Sequence, residues 1–168
     1  MKLSSPRIVT VLVAAAATCA ALGATAFVAQ PAERRLPKAV TAWAAAWNGS
    51  DPQALGAVFG TDGTYTDQAV GAVFHGRREI SGWKARADGL IENVRVTVRA
   101  AYRDGCHITV ESVYSGHLKG APKPFAVPMA TLLDVDDHQR ITSDQDFYSL
   151  NAVLAQSGLP ADWAPPAS

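Results

Sequence analysis

The chain has 168 residues, 15 of them basic and 15 acidic, so its formal charge is zero. With no basic patch or charge run, that balance argues against nucleic acid as a partner. The length suits one domain around a single core, and two cysteines, Cys19 and Cys106, are too few for a disulfide framework.

Residues 1–7 hold two positive charges, Lys2 and Arg7, and the stretch from Ile8 to Ala29 holds no charge. This is the layout of a secretory signal peptide over residues 1–29, with small side chains at Ala24 and Ala26 favouring cleavage after Ala26. The mature protein is then expected outside the cell. The competing reading is an uncleaved membrane anchor, because about 20 apolar residues span a bilayer. Against it, Ala, Thr and Gly dominate the stretch and insert weakly. Membrane contact is expected only in that case. Cys19, preceded by Ala16-Ala17-Thr18, lacks the leucine-led box of a lipidated cysteine. Removing the signal takes Lys2 and Arg7, leaving 13 basic residues against 15 acidic ones. Cys106 is then alone, so no internal disulfide is expected even where the compartment permits one. Residues 30–37, with Pro31, Pro37 and Arg34-Arg35, read as a polar linker, residues 38–160 as the domain and residues 161–168 as a tail.

From Lys38 the apolar residues Val40, Trp43, Ala44 and Trp47 recur at three- and four-residue steps, which predicts a buried helix stopped by Asn48-Gly49-Ser50. Asp51-Pro52 supplies an N-cap and a first-turn proline for a short second helix through Leu55, Val58 and Phe59, closed by Gly60. Thr64 to Asp67 is short, β-prone and alternating, so Tyr65 and Asp67 share a side. A loop is expected up to Gly76, followed by a third helix from Arg78 to Leu90 with Ile80, Trp83, Ala87 and Leu90 or Ile91 as its inner stripe. The period then becomes two: Val94, Val96, Val98, Ala100 and Tyr102 share a face, and Asp104-Gly105 turns the chain into a second strand that runs to Leu118. Strands are also expected over Phe125–Val135 and Arg140–Tyr148, joined by Asp136-Asp137-His138-Gln139. A closing helix, Leu150–Gln156, ends at Gly158.

Helices followed by long antiparallel strands make an α+β domain, here a cone-shaped, curved antiparallel sheet wrapped around three N-terminal helices. The space enclosed by such a sheet is a pocket, apolar with a few polar groups, the usual form of a small-molecule site.

The strings Trp43-Ala44-Ala45-Ala46-Trp47-Asn48-Gly49-Ser50-Asp51, Phe59-Gly60-Thr61-Asp62-Gly63-Thr64-Tyr65-Thr66-Asp67 and Gly76-Arg77-Arg78-Glu79-Ile80 follow one another in that order. Arg140-Ile141 then leads into Asp146-Phe147-Tyr148. In series and at these separations they resemble the nuclear-transport-factor-2-like (SnoaL-like) superfamily over nearly the whole mature chain. That superfamily includes ketosteroid isomerases, polyketide cyclases, epoxide hydrolases and non-catalytic members, so the resemblance implies a fold and leaves the function open. Asp67 resembles the general-base aspartate of the isomerases. Where they place a tyrosine on the first helix this chain looks to have Trp43, and where they keep a protonated aspartate on the penultimate strand it looks to have Ala130. An enolate would lack both donors, and loss of one such donor costs about a hundred-fold or more in rate. Asp146 resembles the acid/base aspartate of the SnoaL-type cyclases, with Asp144 in place of their preceding histidine.

By the period of two, Thr142, Asp144, Asp146 and Tyr148 share a face. If that face is enclosed, two neighbouring carboxylates push one pKa upward and give an acid and a base at neutral pH. If it is the outer face, the aspartates are solvated while Ile141 and Phe147 line the core. The candidate catalytic groups are therefore Asp146, Asp67 and Tyr65, and the candidate ligand-binding residues are Trp43, Trp47, Trp83, Asp144 and Tyr148. Tyr65 is either an orienting donor or a structural tyrosine on a half-buried strand, and the three tryptophans are either pocket wall or ordinary core. Arg99 and Glu111 are placed to pair across neighbouring strands, a contact of little energetic weight at a surface.

His75, His107, His117 and His138 are dispersed, without metal-ligand spacing. There is no glycine-rich phosphate loop and no Gly-x-Ser-x-Gly elbow, and Cys106 lacks a nucleophile's local signature, so neither metal nor cofactor is expected. The expected partners are a small apolar molecule and, through the open sheet face as in many relatives, a second copy of the chain. Two functions remain: a cofactor-independent isomerase, cyclase or epoxide hydrolase working by aspartate acid/base chemistry, or a non-catalytic exported binding or protein-interaction module.

Overall fold

The computed structural model describes residues 35–165. The expected signal peptide over 1–29, most of the linker and the last three residues of the tail lie outside the described residues.

Helix α1 (Lys38–Asn48) buries Ala39, Val40, Trp43, Ala46 and Trp47, the face that the three- and four-residue spacing marks. Helix α2 (Pro52–Val58) starts as its sequence requires: the Asp51 carboxylate accepts the Gln53 N–H at 2.9 Å, and Pro52 occupies a position whose N–H would have no partner. The helix stops one residue earlier than expected. Phe59 and Gly60 are the first residues of strand β1 (Phe59–Asp67), because the Phe59 side chain is fully buried in the core from an extended backbone. A short strand, β2 (Ala72–His75), occupies the region expected to be loop and pairs antiparallel with β1. Helix α3 (Gly76–Leu90) follows, with the Glu79 carboxylate reaching back to the His75 N–H at 2.9 Å. Its inner stripe is Ile80, Ser81, Lys84 and Ala87. Trp83 is half-buried and Leu90 is exposed at the helix end.

Four long strands complete the sheet: β3 (Ile91–Asp104), β4 (His107–Leu118), β5 (Phe125–Val135) and β6 (Ile141–Phe147). Helix α4 (Leu150–Ser157) is capped by Ser149, whose side chain accepts the Ala152 N–H, and ends at Gly158 in the left-handed conformation, φ 75°. The strand order is β2-β1-β6-β5-β4-β3. The sheet is mixed, because β1 and β6 pair in parallel and the other neighbours are antiparallel. The β3–β6 meander ends with β6 running in the direction of β1, which then takes its free edge.

Irregularities in the ladder account for both the curvature and the failures of simple alternation, since a bulge bends a strand and shifts its side-chain phase. Between Val98 and Ala100, Arg99 is an extra residue, so Ala101 turns inward and Tyr102, expected on the inner face, is 50% exposed. Between Ile141 and Ser143, Thr142 is extra; Thr142 is therefore exposed, and Ile141, Asp144 and Asp146 are all buried. A third bulge, at Asn93 and Val94, faces Gly116. Asn93 adopts φ 56°, and a side chain at Gly116 would meet Ile91 Cγ2 at 2.5 Å.

The core lies between the concave face and the helices. Val40, Trp43, Leu55 and Ile80 meet Ile108, Val110, Leu133 and Ile141. A second cluster, built on Leu118, Phe125, Val127, Val153 and Leu154, packs α4 against the other end of the sheet. Asn48 ties α1 to β3: its side chain donates to the Val96 carbonyl at 2.9 Å and accepts the Val96 N–H at 2.7 Å. Arg99 and Glu111 form no ion pair; among the described residues the pairs are Lys84–Asp88 and His107–Asp134.

Candidate functional site

A cavity of about 370 Å³ opens between the concave face, α3 and α4. Its walls are mostly aromatic and aliphatic, and its ionisable lining groups are Asp67, Asp146 and the tyrosines 65, 114 and 148. The inward positions of β1 and β6 supply the carboxylates. Asp67 and Asp146 are register partners on these parallel strands, as are Tyr65 and Asp144, so four polar groups form a compact block on the concave face.

Each carboxylate is held by a defined set of donors. Asp146 accepts the Tyr65 hydroxyl at 2.8 Å on one oxygen and the Thr131 hydroxyl at 2.5 Å on the other. Asp67 accepts the Tyr148 hydroxyl at 2.9 Å, and its second oxygen accepts the N–H groups of Ala69 and Val70 at 3.0 and 3.1 Å. Asp144 accepts the Trp43 Nε1–H at 2.8 Å, while its other oxygen, fully buried, has no protein partner. Burial is the dominant influence on all three, because it disfavours the charged form. It pushes Asp146 up to about 7, against the opposing pull of the Thr131 and Tyr65 hydrogen bonds. Burial raises Asp67 against the Tyr148 bond and the two N–H bonds. It carries Asp144 well above the carboxylate range, with repulsion from Asp146 adding to it. Tyr65 is held well above its usual value by burial and then by Asp146, so it remains a hydroxyl donor.

The open question about the last strand has a geometric answer: Asp144 and Asp146 face inward and Phe147 faces out. Asp146, Asp67, Tyr65, Trp47, Trp83 and Tyr148 line the cavity; Trp43 and Asp144, also considered as ligand contacts, do not. Both of these are fully buried and bonded to each other, because Trp43 lies on the α1 face that packs into the core. They form a layer behind the site. Ala130, compared above with the isomerase aspartate, is exposed on the outer face, and its inward neighbours are Met129 and Thr131. Thr131 is the contact that the sequence reading missed. Its signal was available as the single polar residue in the alternating series Phe125, Val127, Met129, Thr131, Leu133, Val135. Lys84 was also missed. It is buried and bonds Asp88 and the Gly49 carbonyl. Among the described residues no three His, Cys, Asp or Glu side chains converge as a metal site.

A sequence model of the SnoaL-like domain matches residues 40–143, most of the described chain. The protein belongs to the SnoaL-like domain family. Among solved structures, this SnoaL-like domain is similar to a protein with a ketosteroid isomerase-like fold from Catenulispora acidiphila, crystallised in complex with trimethylamine. The two are 65% identical over 78% of this chain and 100% of that one, with a TM-score of 0.77. At fold level alone it resembles an LEH-like epoxide hydrolase of M. tuberculosis, with 21% identity, 70% of this chain and 85% of that one covered, and a TM-score of 0.59. It likewise resembles TerC co-crystallised with polyporic acid, with 15% identity, 71% and 95% coverage, and a TM-score of 0.63. The search of curated proteins gave no match. The SnoaL-like domain thus places its carboxylate block on a scaffold that hosts more than one chemistry, and the block itself has to carry the functional argument.

Proposed function

We propose that the protein binds a small, largely apolar molecule in the cavity and performs cofactor-independent acid/base chemistry on it, with Asp146 as the proton carrier. The observation that carries this reading is the balance at Asp146. Burial favours its neutral form and two hydroxyl donors favour its charged form, which leaves it near 7. A group poised there both takes and returns a proton at neutral pH. Tyr65, protonated throughout, holds the Asp146 carboxylate through its hydroxyl, and Asp67 supplies the second carboxylate. Reactions served by such a set are proton shifts beside a carbonyl, ring closure, and opening of an epoxide. The small molecules bound by the Catenulispora protein and by TerC support a ligand-binding cavity.

A panel of apolar enones and epoxides tests the reading. The expected result is turnover that falls at least a hundred-fold in kcat for Asp146→Asn, with an inflection near pH 7 in the wild-type profile that moves upward in Tyr65→Phe. Turnover equal in wild type and Asp146→Asn would contradict it. One observation favours binding without catalysis: both oxygens of Asp67 and of Asp146 already accept protein hydrogen bonds. Ligand binding undiminished in Asp146→Asn, with no turnover by either protein, selects that alternative.

Residues 1–29 act in this reading as an export signal, which places the domain outside the cell. Two copies pair through the outer sheet face.

A further inference from the structure

We propose that the ligand of this cavity bears an alkylated ammonium group, seated between the aromatic walls and the carboxylates of Asp67 and Asp146. This rests on the preceding reading that the cavity is the ligand site, and it does not require that the site be catalytic.

The walls are two aromatic sets. On one side the Trp47 and Tyr65 rings lie 5.9 Å apart, and Trp83 completes the wall, backed by Phe74 from outside the cavity at 4.8 Å. On the other, Tyr114 contacts Phe125 and Tyr148 at 5.2 Å each. Ring faces carry negative potential and attract cations, most strongly where water is excluded.

Charge narrows the choice of ligand. The cavity is lined by two carboxylates and by no Lys, Arg or His. The buried cation behind Trp47, Lys84, is already matched by Asp88 and the Gly49 carbonyl. An anionic ligand would meet only like charge. Above about pH 7, where Asp146 is ionised, a neutral one would leave that carboxylate in an apolar space without a counter-charge, which is costly. Hydrogen bonding narrows it further. Every oxygen of Asp67 and Asp146 already accepts from Tyr148, Ala69 and Val70, or from Tyr65 and Thr131. A primary ammonium needs acceptors for three N–H groups. A trialkyl or tetraalkyl ammonium needs at most one, and takes its stabilisation from charge and apolar contact, which are what this cavity offers. Leu154 and Val153 from α4 leave an aliphatic side for an attached chain.

The test is calorimetry on the protein with choline and with 3,3-dimethylbutan-1-ol, which has the same shape with carbon in place of nitrogen. At pH 8 choline is expected to bind at least ten-fold more tightly than the alcohol, and Asp67→Asn to bring the ratio of the two affinities close to one. Equal affinities, or tighter binding of the alcohol, overturn the ammonium proposal and leave the cavity reading standing. Absence of binding by both probes and by the enone and epoxide panel removes the cavity reading as well.

Discussion

At Asp146 the demands of function and stability are opposed, and the sign can be worked out. Burial lets the folded protein keep this proton up to about pH 7, whereas the unfolded chain releases it near the ordinary value of 3.8. The stability that the neutral carboxyl contributes is therefore full below about pH 4 and lost as pH rises through 7. Asp146→Asn cannot ionise, so relative to wild type it should gain stability between pH 4 and pH 8, by an amount on the order of 4 kcal/mol for a shift of this size. Thermal melts of both proteins at the two pH values check this; a difference between them that does not change with pH would contradict it. Tyr65→Phe should move the Asp146 pKa further up, since the lost hydroxyl bond favours the charged form. Much of this was legible in the sequence. Alternation over four residues put Tyr65 and Asp67 on one side, and period two put Asp146 with Asp144. What strand periodicity does not give is which side is concave, and the bulge at Thr142 decides that Ile141 and Asp146 share it. Thr131 went unread because a lone threonine in an apolar strand carries no motif.

At the scale of elements, two contacts fix the geometry that holds the site. Helices α2 and α3 cross at Gly56, where a Cβ would lie 2.5 Å from the Arg77 carbonyl oxygen and 2.3 Å from Ser81 Oγ. Gly56→Ala gains up to about 1 kcal/mol of helix propensity but forces backbone apart, at a cost of roughly 1–3 kcal/mol. The clash with a main-chain oxygen cannot be relieved by a rotamer, so a lower denaturation midpoint is expected; an unchanged or higher one would show that the helices separate freely. Asn48→Ala leaves the Val96 N–H and carbonyl without their side-chain partner, a loss of roughly 1–3 kcal/mol, read by urea titration. The sequence supplied every helix and all four long strands because caps, turn dipeptides and periodicity are local signals. It missed β2, four residues with partly exposed side chains whose only reason to extend is the edge of β1. It also missed the parallel β1–β6 pairing, since direction depends on contacts about eighty residues apart. Lys84 escaped the helical stripe for a related reason: its charge is matched by Asp88 one turn on and by Gly49 on another element, which apolar periodicity does not detect.

Across the whole molecule the sheet divides two environments. The concave face holds the carboxylates and the cavity. On the convex face Tyr102, Thr109, Leu132 and Gln145 run as one cross-strand row, with Ala130 and Phe147 in the next. Leu132 is 42% exposed and Phe147 40% exposed, large apolar side chains that a partner on this face would cover. Light scattering should report two chains per particle, and one chain after joint Leu132→Lys and Phe147→Lys substitution; a monomeric wild type would remove the pairing. The measurement that bears most directly on the inner face is an NMR titration of the aspartate carboxyl carbons, with Asp146→Asn for assignment. The account requires Asp146 to titrate near pH 7 and Asp67 above 3.8; if both titrate at the ordinary value, they are solvated carboxylates and the proton-carrying role given to the cavity is wrong.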